Sequence, residues 1–529
     1  LVSGFSEGGL PVQRRQVKSF SEGGPFKALA KAGHPFRRLI HTSGEKMTDY
    51  NKYETVVGLE VHAQLQTASK LFCGDGIAFG AAPNTHISPV TLAHPGTLPV
   101  MNRKAIELAV KMGLACHCTI AKENWFARKN YFYPDLPKGY QVTQHTTPIC
   151  EAGYVEISAA HGSSKKIRLN RIHMEEDAGK SIHDADEHYT LVDYNRAGTA
   201  LIEIVTEPDI RSGDEAYAYL TVVRRLVRYL GICDGNMEEG SMRCDANISV
   251  RLKGATKLGT RVEIKNLNSI RNVKRAIETE SKRLIDLLEA GSTIIQQTRS
   301  FDANTGTSFA TREKEDADDY RYFPEPDLAP FSLSDSFIAQ IRESIPALQE
   351  ERIRKYTTSY QLSAYDAGLL TEERELSDYF EQVIHHTGHY KAAANWILGP
   401  VKNWLNENST DITDFPMGPS QLAELIGMID SGQLSFTVAA SRLFPLMLKN
   451  PQADPASLAQ THNLLQQSDG SAIGPIIDQV LLKFADKVAE YKKGKKGLLA
   501  LFVGEVMKQS KGKADPKLTN ELLLEKLKA

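Results

Sequence analysis

The sequence predicts an α+β protein: a mixed-sheet domain, then an all-helical domain, then a small helical tail domain. Three observations carry this. From Tyr53 to about residue 345, strand-type alternation is mixed with loops and short helical patterns. Beyond about 345 the strand signals stop and only helical spacing continues. Around Pro451–Ser471 the composition turns to Pro, Asp, Gln, Ser and Gly, which marks a hinge before a last helical stretch. A chain of 529 residues is too long for one core, and about 100–200 residues per domain gives three or so units. The expected divisions are 48–344, 345–458 and 459–529, with residues 1–47 outside the fold.

The elements follow in order. Val56-Val57-Gly58-Leu59 leads into an alternation with Leu59, Val61, Ala63 and Leu65 on one face and Glu60, His62 and Gln64 on the other, a half-buried strand. Residues 103–114 have helical spacing and a glycine stop. Residues 214–230 form an amphipathic helix with Tyr217, Leu220, Val223, Leu226 and Leu230 near helical period. Another helix covers 269–289 and starts at Ser269. Thr371 can cap a helix whose Leu376, Tyr379, Phe380 and Val383 share a face. Helical patterns continue through Trp396–Leu405 and Leu422–Ile429. Asp515-Pro516 is an N-cap followed by proline at the first helical position, opening a final helix with Leu518, Leu522 and Leu527.

Composition narrows the class. The chain is 41% hydrophobic and 24% charged, as soluble globular proteins are. No apolar run is long enough to cross a bilayer, so no membrane partner is expected. The formal net charge is −2, so any nucleic-acid site must be a local patch. One such patch exists: Lys483–Lys528 holds twelve lysines against six acidic residues. The six cysteines show no CxxC spacing and read as reduced thiols. Cys116-His117-Cys118 has metal-binding residue types, but adjacent ligands suit a structural zinc site poorly and a core strand better.

Residues 1–46 look foreign to the rest. They contain a near-repeat, Phe5-Ser-Glu-Gly-Gly9 and Phe20-Ser-Glu-Gly-Gly24, and eight Lys/Arg against three Glu. They lack apolar periodicity and should not fold alone. An organellar transit peptide and an upstream extension of the reading frame both fit. The repeat and the glutamates favour the extension, with Met47 as the start.

Several residues have the chemistry for a site. Glu60 and His62 share one strand face, which suits a hard divalent cation or a solvated polar face. Glu175, Glu176 and Asp177 are adjacent acids that repel unless a cation or water relieves them, so a cation site and an acidic loop both remain open. In a strand, Glu175 and Glu176 must point to opposite faces. Gly179-Lys180-Ser181 invites a phosphate-loop reading, but the required earlier glycine is Met174, so any ATP use runs through another kind of site. Glu203 sits among apolar neighbours in Leu201-Ile-Glu-Ile-Val205 and needs a cation or a strong donor. Arg128–Tyr140 and the cluster Asp316, Asp318, Asp319, Tyr320, Arg321, Tyr322 and Phe323 mix charge with stacking surface. Either could line a pocket for phosphate, ribose or an RNA terminus, or be a surface loop.

Together these segments resemble the GatB family, the B subunits of tRNA-dependent amidotransferases. The resemblance rests on blocks in order: Val57–Gln64, Arg128–Tyr140, His173–Ser181, Asp193–Gly198 with Leu201–Asp209, Gly240–Asn247 and Val262–Asn268. It runs from about residue 53 to the C-terminus, and residues 73–96 have a bacterial flavour. It implies a catalytic cradle domain, a helical domain and a helical tail. It also implies a heterotrimer with a glutaminase A subunit and a small C subunit. In that complex the side-chain carboxyl of Glu-tRNA-Gln or Asp-tRNA-Asn is phosphorylated with ATP and then amidated with ammonia from the A subunit. By the resemblance, Glu60, His62, Glu175 and Glu203 would hold Mg²⁺. Glu176 would serve a second metal or the ammonia-channel exit. Lys129, Arg196 and Lys265 would contact phosphate or carboxylate. Lys492, Lys493, Lys495, Lys496, Lys508, Lys511 and Lys513 would contact the mischarged tRNA through its backbone. The expected location is the bacterial cytoplasm, or the mitochondrial matrix if residues 1–46 are a transit peptide. A tRNA-binding scaffold without catalysis and a metal-dependent hydrolase are the rival readings. No amidase Ser/Lys signature is present, so the glutaminase step belongs to another chain.

Overall fold

The computed structural model describes residues 48–158, 163–183, 188–313, 320–466, 470–510 and 514–528. The extension at 1–47 lies outside the described residues, as do Asp316, Asp318, Asp319, Lys511 and Lys513.

Strand β1 (Tyr53–Gln64) alternates as its sequence demands: Leu59, Val61 and Ala63 are buried, while Glu60, His62 and Gln64 are half-buried on the other face. Helix α1 (Arg103–Ala115) is capped by Asn102, whose side chain accepts from two backbone N–H groups. Strands β2 (Ala127–Asn130), β3 (Tyr140–Thr143), the long β4 (Ser164–Glu176) and β5 (Ala200–Thr206) follow. Then come helix α2 (Gly213–Tyr229), β6 (Met242–Leu252), β7 (Val262–Leu267), α3 (Ile270–Glu289), β8 (Gln297–Asp302), β9 (Thr307–Glu313) and β10 (Phe323–Pro324).

These strands join a 13-stranded sheet whose main path is β9-β8-β7-β6-β1-β5-β4-β3-β2-β10. β1 is central and antiparallel to both β5 and β6. β7 and β8 pair in parallel. Helices α1, α2 and α3 share one buried apolar cluster with the sheet residues Leu59, Val61, Ile202 and Ile248. The opposite face of β1 is thereby left for polar side chains.

The apolar stripe of α2 differs from the expected one. Tyr217 is exposed, and Tyr219 is fully buried with Ala216, Leu220, Val223 and Val227. That set keeps helical spacing while the stripe is turned away from Tyr217. Ser212 and Ser269 cap α2 and α3 as their type requires.

Gly113 lies inside α1 against the sheet. A Cβ there would fall on the Cys150 Sγ and 3.0 Å from Ile120 Cδ1. Alanine normally favours a helix interior, but overpacking wins here. Gly113→Ala is expected to lose about 1–3 kcal/mol in chemical denaturation, and Cys150→Ala in the same chain should recover part of it.

After residue 345 the structure is helical. A second apolar cluster runs from Tyr356 to Leu464, and a third from Ile473 to Leu527. Thr371 does not open a helix. It closes α4 (Ala364–Leu370), with its hydroxyl donating to the Ala367 carbonyl, and Glu373 precedes α5 (Arg374–His386). The buried Tyr229 hydroxyl, at the end of α2, donates to the Thr371 carbonyl and so ties the sheet region to the helices. The polar stretch read as a hinge carries a short helix, Pro455–Thr461, capped by Asp454. The last helix, α6 (Pro516–Lys528), opens with Leu518 N–H donating to Asp515 Oδ1 at 2.8 Å.

Candidate active site

The polar face of the central strands forms a cleft of about 720 Å³. Strand register builds its floor. His62 on β1 lies opposite Glu203 on β5 and Arg243 on β6, and Glu203 lies opposite His173 on β4. One cross-strand row therefore reads Arg243, His62, Glu203, His173. Glu60 lies opposite Asp245 in the adjacent row. Lys129 enters from β2 and Lys265 from β7, and both line the cleft.

Two groups of ligand-type atoms result: His62, Glu175 and Glu203, and Glu60, Asp245 and Glu263, each within 4.8 Å of one another. In the first, His62 Nε2 is 3.3 Å from Glu203 Oε2 and 3.5 Å from Glu175 Oε1. His173 Nε2 is 3.4 Å from Glu203 Oε2. In the second, Asn247 Nδ2 donates to Glu60 Oε1 at 2.8 Å and Lys265 Nζ to Asp245 Oδ2 at 2.7 Å. Lys265 is also 3.5 Å from Glu263.

The electrostatics follow from these distances. Burial pulls the His62 imidazole down, but the Glu203 and Glu175 carboxylates overcome it and raise it to about 9. Burial pushes Glu203 up, yet His173, His62 and Lys129 hold it well below the usual carboxylate range. Glu60 is raised, first by burial and then by Glu203, Glu263 and Asp245, with Lys265 offsetting only part. Burial lowers Lys265, but Asp245 and Glu263 more than reverse this. The cleft thus carries Glu60, Glu175, Asp177, Glu203, Asp245 and Glu263 against Lys129, Arg243 and Lys265. An anionic substrate would be repelled from so many carboxylates unless cations were added. Oxygen donors in both groups fit a hard divalent cation, and the imidazole of the first group is compatible with one.

Of the residues singled out from sequence, Glu60, His62, Glu175, Glu203, Lys129 and Lys265 come together in this cleft. Glu176 does not. It points to the other side of the sheet, where Lys138 Nζ donates to it at 2.6 Å and the Val142 N–H at 2.8 Å. Arg196 is committed to backbone, donating to the carbonyls of Ala178 and Gly179, 3.6 Å from Asp177. Lys492, at the end of the helix Ala485–Lys492, is exposed together with Lys493, Lys495 and Lys496 that follow it, and Lys508 is exposed on the helix Leu499–Gln509. Cys116 and Cys118 join no metal-type group among the described residues, and burial pushes the Cys118 thiol up to about 12.

Sequence reasoning missed His173, Asp245 and Glu263. A signal existed for the first: His173 and Glu175 are two apart in a strand and must share a face. The other two become neighbours of Glu60 only through the register of β6 and β7.

A mixed sheet with an ionisable cleft on one face and helices on the other is the layout of an enzyme that handles charged substrates. Comparison with known proteins narrows that class. Residues 55–339 match the GatB/GatE catalytic domain and residues 378–527 the GatB domain. The B subunit of the aspartyl/glutamyl-tRNA(Asn/Gln) amidotransferase of Geotalea daltonii is 51% identical over 481 residues, covering 90% of this chain and 99% of that protein. The same-named proteins of Pelodictyon phaeoclathratiforme and Chlorobaculum tepidum are 51% and 49% identical over 476 and 477 residues, each covering 90% of this chain. The chain belongs to the GatB family.

Proposed function

We propose that this chain is the amidating subunit of a tRNA-dependent amidotransferase. It works with a glutaminase A subunit and a small C subunit in the bacterial cytoplasm, converting Glu-tRNA-Gln or Asp-tRNA-Asn to the amide. The observation that carries the reading is the row Arg243, His62, Glu203, His173, with a second carboxylate group beside it on the same cleft floor. No helix among the described residues is long and apolar enough to cross a membrane. Three separate apolar clusters support a reading with three functional units, but Ala459 and Leu464 pack in the second cluster, so the second division is better put after Leu464 than at the expected 459.

The substrate carboxylate attacks the γ-phosphorus of ATP, and the bond to ADP breaks. Ammonia then adds to the acyl carbon, loses a proton, and phosphate leaves with the former carboxylate oxygen. His62, Glu175 and Glu203, with His173 beside them, would hold one Mg²⁺, and Glu60, Asp245 and Glu263 a second. Bound there, the cations neutralise charge on the phosphate oxygens. Lys129 and Lys265 orient the anionic groups at the cleft walls. Glu176, paired with Lys138 outside the cleft, would in this reading serve the ammonia-channel exit and not a metal. The exposed lysines at 492–496 and Lys508, with Lys511 and Lys513, hold the tRNA backbone.

Reconstitution with the A and C partners tests this. Conversion of Glu-tRNA-Gln that needs both ATP and glutamine is expected. Binding of tRNA without conversion would mean a scaffold, and turnover by the isolated chain without ATP would mean a hydrolase.

His62 also gives a pH dependence. Its raised value means that the metal-free protein carries the proton up to about pH 9. The protonated pair with Glu203 stabilises the metal-free fold fully below the ordinary value of 6.5, and that contribution is lost as pH rises through about 9. Cation loading shows the opposite trend, because a ligand imidazole must be neutral. Titration calorimetry with Mn²⁺ in buffers of different ionisation enthalpy should show proton release at pH 7–8, with affinity rising about tenfold per pH unit. Pyrophosphate or nucleotide is not needed for this readout.

A further inference from the structure

One wall of the cleft is aromatic, and none of the roles above uses it. β2 leads into Tyr131 and Tyr133, and the segment Tyr320–Tyr322 leads into β10, which pairs with β2 through Phe323 and Arg128. Asn130 fastens the two together, its Nδ2 donating to the carbonyl of Arg321 at 2.8 Å and of Tyr320 at 3.3 Å. Arg321 adopts φ +44°, a conformation that non-glycine residues seldom take, and this turn sets Tyr320 and Tyr322 close together.

The rings form a cluster in which one pair is stacked and the others meet at an angle. His145 and Tyr322 are parallel, 3.9 Å between centroids. Tyr320 follows at 6.0 Å, tilted, and Tyr131 meets Tyr320 edge-on at 6.1 Å. Lys129 Nζ sits 4.8 Å from the Tyr320 centroid, and both residues line the cleft that holds Glu175 and Glu203. Rings in a core close on each other. Here Tyr320 and Tyr131 face an open cleft beside a lysine, the composition of a stacking platform for a base next to a sugar-phosphate.

We propose that Tyr320, with Tyr131 and Tyr322, is the platform on which the 3′-terminal adenosine of the charged tRNA stacks. This rests on the reading of charged tRNA as the substrate. An adenine on Tyr320 places its ribose beside Lys129, and the esterified amino acid extends from that ribose toward His62, Glu175 and Glu203. The second adenosine in the reaction, that of ATP, then binds elsewhere along the cleft. The distinction matters because both substrates carry the same base, and the platform decides which one enters from this wall.

The test uses the reconstituted complex, a tRNA-Gln transcript, the same transcript lacking only its terminal adenosine, and ATP. With unaltered protein, the intact transcript should bind about tenfold tighter than the truncated one. Tyr320→Ala should remove that difference, weakening the intact transcript about tenfold and leaving the truncated one and ATP within about twofold. Tyr320→Phe, which keeps the ring, should behave as the parent. Equal loss for both transcripts, no loss for either, or a loss confined to ATP would overturn the proposal. Melting curves check folding, and Tyr322→Ala repeats the cycle if Tyr320→Ala does not fold. None of these measurements needs turnover. A failure of the amidotransferase reading would instead appear as absent conversion by the parent complex.

Discussion

Glu203→Gln is expected to slow ATP-dependent amidation by about a hundred- to a thousandfold in the reconstituted complex, with tRNA affinity unchanged within about twofold. Glu203 lies between two imidazoles, 3.3 Å from His62 and 3.4 Å from His173. Those neighbours keep it ionised although it is largely buried. The amide preserves shape and removes the charge, so the loss reports charge at this position and not packing. Glu60→Gln acts on the other carboxylate group and should also be slow. The double variant should fall short of the product of the two losses, because both groups serve one transfer. If amidation survived in Glu203→Gln with tRNA binding intact, the chemistry would lie in another subunit and this chain would be a scaffold.

The largest effect on stability is expected at Lys138. It pairs with Glu176 at 2.6 Å, and both side chains are almost wholly buried, at 8% and 1% exposure. A buried pair adds little over an apolar replacement, but breaking it leaves a charge without compensation. Lys138→Met should therefore cost about 3–5 kcal/mol at neutral pH. Glu176 is already raised by burial, with Lys138 acting against that rise. Without Lys138 it rises further, so the folded state holds a proton that the unfolded state releases. Stability then falls as pH climbs from the ordinary carboxyl value toward the raised folded one. The penalty should be smaller at pH 5 than at pH 8 in urea titrations. Lys138→Met with Glu176→Leu should recover most of the loss, and a single variant that is fully stable would show that water reaches the pair.

Much of this architecture is legible in the residues themselves. The alternation of β1 fixes which side chains face the cleft, because period two leaves Glu60 and His62 no other side. Ser212, Ser269 and Asp515 announce their helices through short polar side chains that cap backbone N–H groups. What sequence hides is register. Glu203 looks like an isolated carboxylate until β5 is laid against β1 and β4, whereupon it has an imidazole on each side. Asp245 and Glu263 are ordinary strand acids until β6 and β7 bring them to Glu60. Thr371 and Tyr217 mislead for a different reason. Threonine closes a helix through its own i−4 carbonyl as readily as it opens one, and a tyrosine at helical spacing can face solvent when another ring two positions on, Tyr219, fills the core.

The most direct measurement follows the oxygen. Glu-tRNA-Gln is prepared with heavy oxygen in both side-chain carboxylate positions and given to the complex with ATP and ammonium chloride in place of glutamine. Activation by phosphorylation on this chain requires one heavy oxygen in the released phosphate for each amide formed, and Glu203→Gln should slow both to the same extent. Amide formed with phosphate free of heavy oxygen would contradict it.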